Sequence, residues 1–408
     1  MTRIAKLLIA AALASTALSV PLSAQEAAND NPSMDELVPD ATYPNAAENK
    51  DMPDGAVENV STGAPLARLK PPVAPPDNPM SEAKVELGRM LFFDPRLSGN
   101  SSMPCSACHL PDLGWGTDTP ISFGYPGTTH WRNSQTILNS AYYNKLFWDG
   151  SKTSLEAQAP AAAHGAVAGN GDDSIMEMRL AFIPEYVTRF KELFGTENPI
   201  IADAWRAIAA YQRTIVSDPE NVPFDRFMDG DETALGEEAK RGMELFEGKA
   251  NCATCHDGAL FSNQKFYDLG VPQDVIMDSS DPLQQITVRW ENYAKGVTEE
   301  MYYSDPGDMG LYYVTKRPSD RYKFRVPSLR ELTYTGPYMH NGTFETLAEV
   351  VDFYNEGGGE SVNKTDLIKP LGLDDQEKAD LIAFLESLSS DEPILDQEPE
   401  LPEIQARR

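Results

Sequence analysis

Every cysteine of the chain and two of its five histidines fall into one repeated pattern, Cys105-Ser106-Ala107-Cys108-His109 and Cys252-Ala253-Thr254-Cys255-His256. A Cys-x-x-Cys-His run sets two thiols one turn apart, where they can add to the two vinyl groups of a porphyrin, and the next residue reaches the iron from the same face. A thioredoxin-like dithiol or a four-cysteine zinc site would use the thiols and leave both histidines unexplained. No cysteine remains for a disulfide. The pattern predicts two covalently bound c-type haems, with Cys105, Cys108, Cys252 and Cys255 as anchors and His109 and His256 as iron ligands.

The elements that must position these motifs also repeat. Ser81 to Pro95 reads as a helix with Leu87, Met90 and Leu91 on one face, stopped by the proline. Leu235 to Phe246 echoes it before the second motif, with Gly248 as its stop. This duplication of helix, short loop and motif predicts an all-α fold of two cytochrome c-like domains, each holding one haem, with irregular connecting loops. Asp173 to Phe194 and Ile201 to Val216 carry helical periodicity, with Pro184 opening a new helix and Trp205, Ile208, Ala209 and Ile215 as a core stripe. Thr346 and Glu349 form a capping box for a helix whose apolar face is Leu347, Val350, Val351 and Tyr354; Asp374 and Glu377 open the last one. Residues 262 to 335 are mixed, with aromatic and Gly/Pro-rich stretches, and resolve into no assigned elements.

Length supports this division, since 408 residues exceed one ordinary domain. Residues 1–24 read as a secretory signal, in which Arg3 and Lys6 precede an apolar run and Leu22-Ser23-Ala24 offers a cleavage site. The run is shorter than the ~20 residues of a spanning helix, so no membrane span is expected. Residues 25–80 are a Pro-rich, acidic and flexible arm, 81–225 the N-terminal domain, 226–390 the C-terminal domain and 391–408 an acidic tail. Export agrees with haem attachment outside the cytoplasm and places the mature chain in a periplasm. Its formal charge of −29 becomes −31 without the signal, which argues against nucleic acid and favours a basic protein partner.

With these pieces assembled, the chain resembles the bacterial di-haem cytochrome c peroxidases, including their MauG branch. The resemblance runs from about residue 82 to 390 and rests on the segments before the first motif, Arg132-Asn133-Ser134, Phe147-Trp148-Asp149-Gly150, Pro184-Glu185-Tyr186 and Gly336-Pro337-Tyr338-Met339-His340-Asn341-Gly342. It implies a peroxide-reactive haem on His109 and an electron-transfer haem on His256. Tyr354 falls where the peroxidases usually carry a methionine ligand to the second iron, as in the MauG branch, with Met339 its competitor. Trp148 would relay electrons between the haems, and Asn133, Thr335 and Pro337 would offer oxygen ligands to Ca2+.

Three positions depart from the family. Gln158 matches its distal glutamine, but Ala168 stands where the distal glutamate should be; His164, in the same loop, is the candidate to move the proton that O–O cleavage requires. Tyr125 replaces a removable distal histidine, with His130 five residues on. Ala250 replaces the aromatic residue that precedes the second motif in the MauG branch. The reading is a periplasmic peroxidase that takes electrons for hydrogen peroxide from a small redox protein, a cytochrome c or a cupredoxin. The alternatives are a MauG-like oxidase acting on a protein substrate and a non-catalytic electron carrier. The family also includes homodimers.

Overall fold

A computed structural model describes residues 65–273, 282–304 and 307–404; the signal segment expected at residues 1–24 lies outside them. Helices dominate, and the strands β1 (Phe266–Tyr267) and β2 (Phe324–Arg325) form one short antiparallel pair. Helix α1 (Glu82–Phe93) starts at Ser81, whose side chain accepts from the Lys84 N–H, and ends at Asp94-Pro95. The first half continues with α2 (Leu155–His164), α3 (Asp173–Ala181), α4 (Pro184–Phe194) and α5 (Ile201–Gln212). Pro184 occupies the first turn of α4, where its missing N–H costs nothing. After α6 (Pro223–Met228), the second half has α7 (Glu237–Glu247), α8 (Pro282–Ala294), α9 (Glu299–Ser304), α10 (Tyr312–Thr315), α11 (Leu347–Asn355) and α12 (Asp375–Glu386). Both expected capping boxes form, at Thr346/Glu349 and Asp374/Glu377.

Each half has its own apolar core. The first gathers Leu87, Leu91, Phe92, Tyr186, Phe190 and Trp205, and the second gathers Phe224, Phe246, Phe261, Phe384 and Leu388. A close helix crossing recurs in both. A Cβ on Gly88 would lie 1.9 Å from the Ala207 carbonyl oxygen of α5, and one on Gly242 would lie 2.0 Å from the Asp380 carbonyl oxygen of α12. The glycine shared by the two echoed helices is therefore the residue that lets each backbone approach its partner.

The arm and the tail are less free than their composition predicts. Leu66 and Leu69 are buried, and Leu66 belongs to the second core. Ile394 and Leu401 of the tail pack against the first core, and the Ile394 carbonyl accepts from Trp115 Nε1 at 2.7 Å. Asp396 accepts from Arg89 and from the Tyr211 hydroxyl, at 2.9 and 2.6 Å. Proline and acid run read as disorder only while these few anchoring apolar residues are overlooked. The segment between the halves is also built: Arg330 and Asp225 form a fully buried ion pair at 2.8 Å, and Arg330 Nε donates to the Ala259 carbonyl at 2.7 Å. Asp225→Asn leaves that guanidinium buried without its counter-charge and should cost about 3–5 kcal/mol, read as a lowered midpoint in chemical denaturation of the holoprotein.

Candidate haem sites and the wall between them

The two motifs have the same local architecture. Cys105–Ala107 and Cys252–Thr254 form single 3-10 turns, and the His109 and His256 amides donate to the Cys105 and Cys252 carbonyls at 3.1 and 2.9 Å. His109 Nδ1 lies 3.1 Å from the Trp115 carbonyl oxygen and His256 Nδ1 lies 2.9 Å from that of Phe261. A carbonyl only accepts, so Nδ1 carries the proton in each ring and Nε2 keeps its lone pair for a metal. Trp115 and Phe261 both have positive φ, 60° and 53°, an uncommon conformation for aromatic residues that aims each carbonyl. Burial lowers the pKa of both histidines, to about 4 for His256, so both rings are neutral donors. Burial raises the thiols, to about 12 at Cys105 and Cys252 and about 11 at Cys108.

A cavity of about 660 Å³, the size of a cofactor site, opens on the second motif. Cys252, Cys255 and His256 line it, as do Tyr354, Met339 and Trp148. The Tyr354 hydroxyl has no hydrogen-bond partner among the described residues. Its pKa is raised by burial first and by the nearby Cys252 and Cys255 second, which puts the phenol beside both anchors. Two thiols, an oriented imidazole and an unengaged phenol around one cofactor-sized space fit a covalently held haem.

One irregular segment, residues 133–136, separates this cavity from the first motif. Asn133, Gln135 and Thr136 line the cavity, while Ser134 hydrogen-bonds the Cys108 thiol and lies 2.6 Å from the Ser122 hydroxyl. Trp148 Nε1 donates to the Asn133 carbonyl at 3.2 Å, and the Asn133 amide donates to the His340 carbonyl at 2.9 Å. The Trp148 indole meets the His340 ring edge-on at 6.5 Å, and that ring stacks on Phe324 at 3.6 Å. Trp148 is thus a buried aromatic between the motifs.

The loops bearing Trp148 and His340 are themselves copies. One offset, 192 residues, relates the bridge Leu146–Lys152 to Tyr338–Phe344, the positive φ angles of Phe147 and Gly150 to those of Met339 and Gly342, and the helix cap Ser154 to Thr346. The recurrence Gly-Ser/Thr-x-x-Ser/Thr-Leu at Gly150 and Gly342 is its sequence trace, which a search for helical periodicity passes over. In the second copy Leu347, Val350, Val351 and Tyr354 line the cavity. The same offset maps them to Leu155, Gln158, Ala159 and Ala162 on α2. Where the second copy has a phenol, the first has a methyl group. The Gln158 side chain, half-buried, also has no hydrogen-bond partner among the described residues.

The structure does not bring His164 to this stripe. It ends α2, is exposed, and its Nε2 lies 2.6 Å from Asp173. Proximity in sequence to the missing glutamate is therefore not proximity to the haem face, because the helix turns His164 outward onto Trp205 and Asp173. Ala168 lies in the loop after α2, and the Tyr125 amide donates to the Val167 carbonyl at 2.9 Å. His130 lies two residues from Arg132, whose amide approaches its Nδ1 at 3.1 Å; burial, aided by the Arg132 charge, lowers its pKa to about 4. Thr335 and Pro337 line the cavity together with Asn133, whose Nδ2 donates to the Thr119 and Pro120 carbonyls at 3.2 Å. Its Oδ1 has no partner among the described residues. Ala250 is buried in the second core.

Comparison with known proteins agrees with this arrangement. A family described as "Di-haem cytochrome c peroxidase" matches residues 82–233. The chain is 62% identical over 344 residues to the cytochrome-c peroxidase IdrP1 of Pseudomonas sp., an alignment spanning 84% of this chain and 90% of that one. It is 36% identical to the methylamine utilization protein MauG of Methylorubrum extorquens, over 82% of this chain and 87% of that one. The crystal structure of a MauG-like protein associated with microbial copper homeostasis superposes with a TM-score of 0.68 at 31% identity, covering 81% of this chain and 97% of the other.

Tyr354→Phe removes only the hydroxyl. The expected outcome is a changed absorption spectrum and a raised reduction potential for one haem, with the other unaltered, since an anionic oxygen donor holds ferric iron. Two unaltered haems in a spectroelectrochemical titration would take Tyr354 off the ligand list.

Proposed function

The chain belongs to the di-haem cytochrome c peroxidase family, a family of oxidoreductases with two c-type haems, and from that premise we propose that it is a periplasmic peroxidase that reduces hydrogen peroxide at the N-terminal haem with electrons passed through the C-terminal one from a redox protein. The haems, held by Cys105, Cys108 and His109 and by Cys252, Cys255 and His256, supply the iron chemistry of peroxide cleavage and electron storage.

The observation that carries the reading is the contrast at one repeated helix position. Tyr354 would offer its phenol to the haem of the second site, while Ala162, its counterpart in the first copy, offers no ligand and would leave room for a small substrate. Gln158, one turn before Ala162, would orient the peroxide by hydrogen bonding. An amide cannot carry a proton as a carboxylate does, so Gln158 would orient the peroxide and not serve as its proton carrier. His164, engaged by Asp173, is not assigned that role. Trp148 is the proposed relay, and its geometry is fixed on both sides by backbone: it donates to Asn133 and its carbonyl accepts from the Arg325 amide at 2.9 Å. Asn133, Thr335 and Pro337 are the proposed oxygen ligands of a Ca2+ ion that would stiffen the wall beside that relay. The Tyr354 phenol also supports a second reading, a MauG-like oxidase of a partner protein, which slow turnover with reduced cytochrome c and long-lived peroxide-oxidised haems would favour.

The test is stopped-flow absorption of the ferric holoprotein with hydrogen peroxide. Gln158→Leu should slow the peroxide reaction about a hundredfold or more while the resting spectrum is kept. Ala162→Tyr should convert the first haem from high to low spin and abolish its peroxide reaction. Unchanged rates in both variants would refute the assignment of the open face to α2, and a wild-type chain indifferent to peroxide in both the ferric and half-reduced states would replace the enzyme by an electron carrier.

A further inference from the structure

A short stretch of the tail, residues 394–396, supplies a hydrogen-bond acceptor to each of two touching aromatic rings of the first core. The Ile394 carbonyl accepts from Trp115 Nε1 at 2.7 Å, and the Asp396 carboxylate accepts from the Tyr211 hydroxyl at 2.6 Å. The two rings meet edge-to-face at 6.2 Å, and Phe92 packs against both. The pair begins at the first motif. His109 Nδ1 lies 3.1 Å from the Trp115 carbonyl oxygen, and Cys105 packs against the core that holds both rings.

The two acceptors differ in what they do with a proton. A backbone carbonyl takes no proton from an indole, so a Trp115 that gives up an electron keeps its N–H and recovers the electron from a neighbour. A carboxylate does take a proton. Burial works to raise the Asp396 carboxyl, but the bonds from Arg89 and Tyr211 hold it below its ordinary value, so it stays ionised. Burial, and then the bond to Asp396, raises the Tyr211 phenol, which stays neutral. Removing an electron turns a phenol into a strong acid, so a neutral phenol bonded over 2.6 Å to a charged carboxylate loses electron and proton together. The Asp396 side chain is 26% exposed, which opens the way of that proton to water.

Two comparable aromatic groups each lack one of these parts. Tyr186 also donates to a carboxylate, Asp94, at 2.6 Å, but that carboxylate is wholly buried, and the Arg96 guanidinium 5.6 Å from the ring opposes electron removal. Trp131 and Tyr313, beneath Val288 of α8, stand 5.4 Å apart. There Arg132 lies 3.8 Å from the indole, and the Tyr313 hydroxyl donates to the Asn292 amide, which takes no proton. Neither Trp115 nor Tyr211 has a cation over its ring among the described residues.

We propose that Tyr211 is a redox-active residue: it gives one electron, through Trp115, to the first haem when peroxide has oxidised that haem and no donor protein is at hand, and Asp396 takes its proton. The inference rests on the peroxidase reading for its oxidant. Hydrogen peroxide, with two protons from water, takes two electrons from the protein's redox groups and leaves as two waters. The haems supply one electron and Tyr211 the other. The phenolic O–H bond breaks, the electron leaves by the indole, the proton crosses to Asp396, and a neutral tyrosyl radical remains. An unclaimed oxidising equivalent is thereby drawn away from the porphyrin.

The experiment mixes the ferric two-haem holoprotein with hydrogen peroxide, freezes it at short intervals and records electron paramagnetic resonance, with natural and with ring-deuterated tyrosine. A radical signal that deuterium narrows should appear in the wild type, vanish in Tyr211→Phe and persist in Tyr186→Phe. Asp396→Asn, which keeps the phenol and removes its base, should slow the appearance of the radical about a hundredfold. A residue that only anchored the tail would leave that rate alone. No tyrosyl radical in the wild type, one retained in Tyr211→Phe, or a rate untouched by Asp396→Asn would overturn the proposal. A haem spectrum indifferent to peroxide counts against the peroxidase reading instead, and the tyrosine is then judged with flash-generated ruthenium(III) tris-bipyridine as oxidant. A tyrosyl radical that Tyr211→Phe removes supports the proposal there, and any other result overturns it.

Discussion

The wall between the two motifs depends on one buried guanidinium. Arg132 pairs with Asp149 at 2.9 Å and with Asp308 at 2.6 Å, and its plane lies 3.8 Å from the Trp131 ring. Burial works to raise the Asp149 pKa, but Arg132, with Lys295 behind it, holds the carboxyl below its ordinary value, so the charges persist in the interior. Desolvating such a group is expensive, and what repays it is geometry: bidentate bonds to Asp308, one to Asp149 and a stacked indole. Asp149 follows Trp148, Asn133 follows Arg132, and Asp308 opens the turn that leads to Tyr313. One side chain therefore fixes the indole, the segment it hydrogen-bonds and the aromatic pair beneath α8.

Around that centre the molecule repeats itself and then departs from the repeat where function demands. The helix-crossing glycines, the motif turns, the carbonyls that orient both histidines and the loops at Phe147 and Met339 are shared, because they solve the same problem of holding a flat cofactor. Trp148 and His340 occupy equivalent places and touch, which makes the contact between the halves nearly self-matching. The departures are chemical. Ala162 corresponds to Tyr354 in the duplication, and Asp149, charged and paired, corresponds to Asn341, which is neutral. Two copies of one scaffold can thus serve unlike roles by exchanging a few side chains while the backbone stays fixed.

Much of this was readable in the chain. The haem motifs, the flanking helices, the two capping boxes and the Trp205 stripe follow from local rules, in which spacing and chemistry coincide within a turn or two. Tyr354 was placed on the apolar face of its helix by period alone, and the cavity lies on that face. His164 shows where local reading stops: an imidazole six residues beyond a distal-type glutamine looks catalytic until the helix carries it round to Asp173. The inverted helix α8 could not be assigned for a related reason. Its buried residues Gln284, Thr287, Glu291 and Asn292 are polar and its exposed ones include Ile286, Trp290 and Tyr293, so a rule that equates apolar with buried cannot place it. The 192-residue repeat was written in a loop signature of glycine and hydroxyl residues rather than in hydrophobic period.

The crossed ends of the chain complete the constraint. Leu66 enters the second core ahead of the first domain, and Ile394 and Leu401 return to the first core after the second. Each half is therefore held by a strap that belongs, in sequence, beside the other. A hinge between the halves would have to strip both straps and break the Asp396 bonds to Arg89 and Tyr211 together with the Trp115 bond to Ile394. A fold that ties its two halves by both straps keeps the spacing of the two motifs, with Trp148 between them, constant. The tail that composition presents as an acidic extension is, in the folded chain, part of what holds the first core to the rest of the molecule.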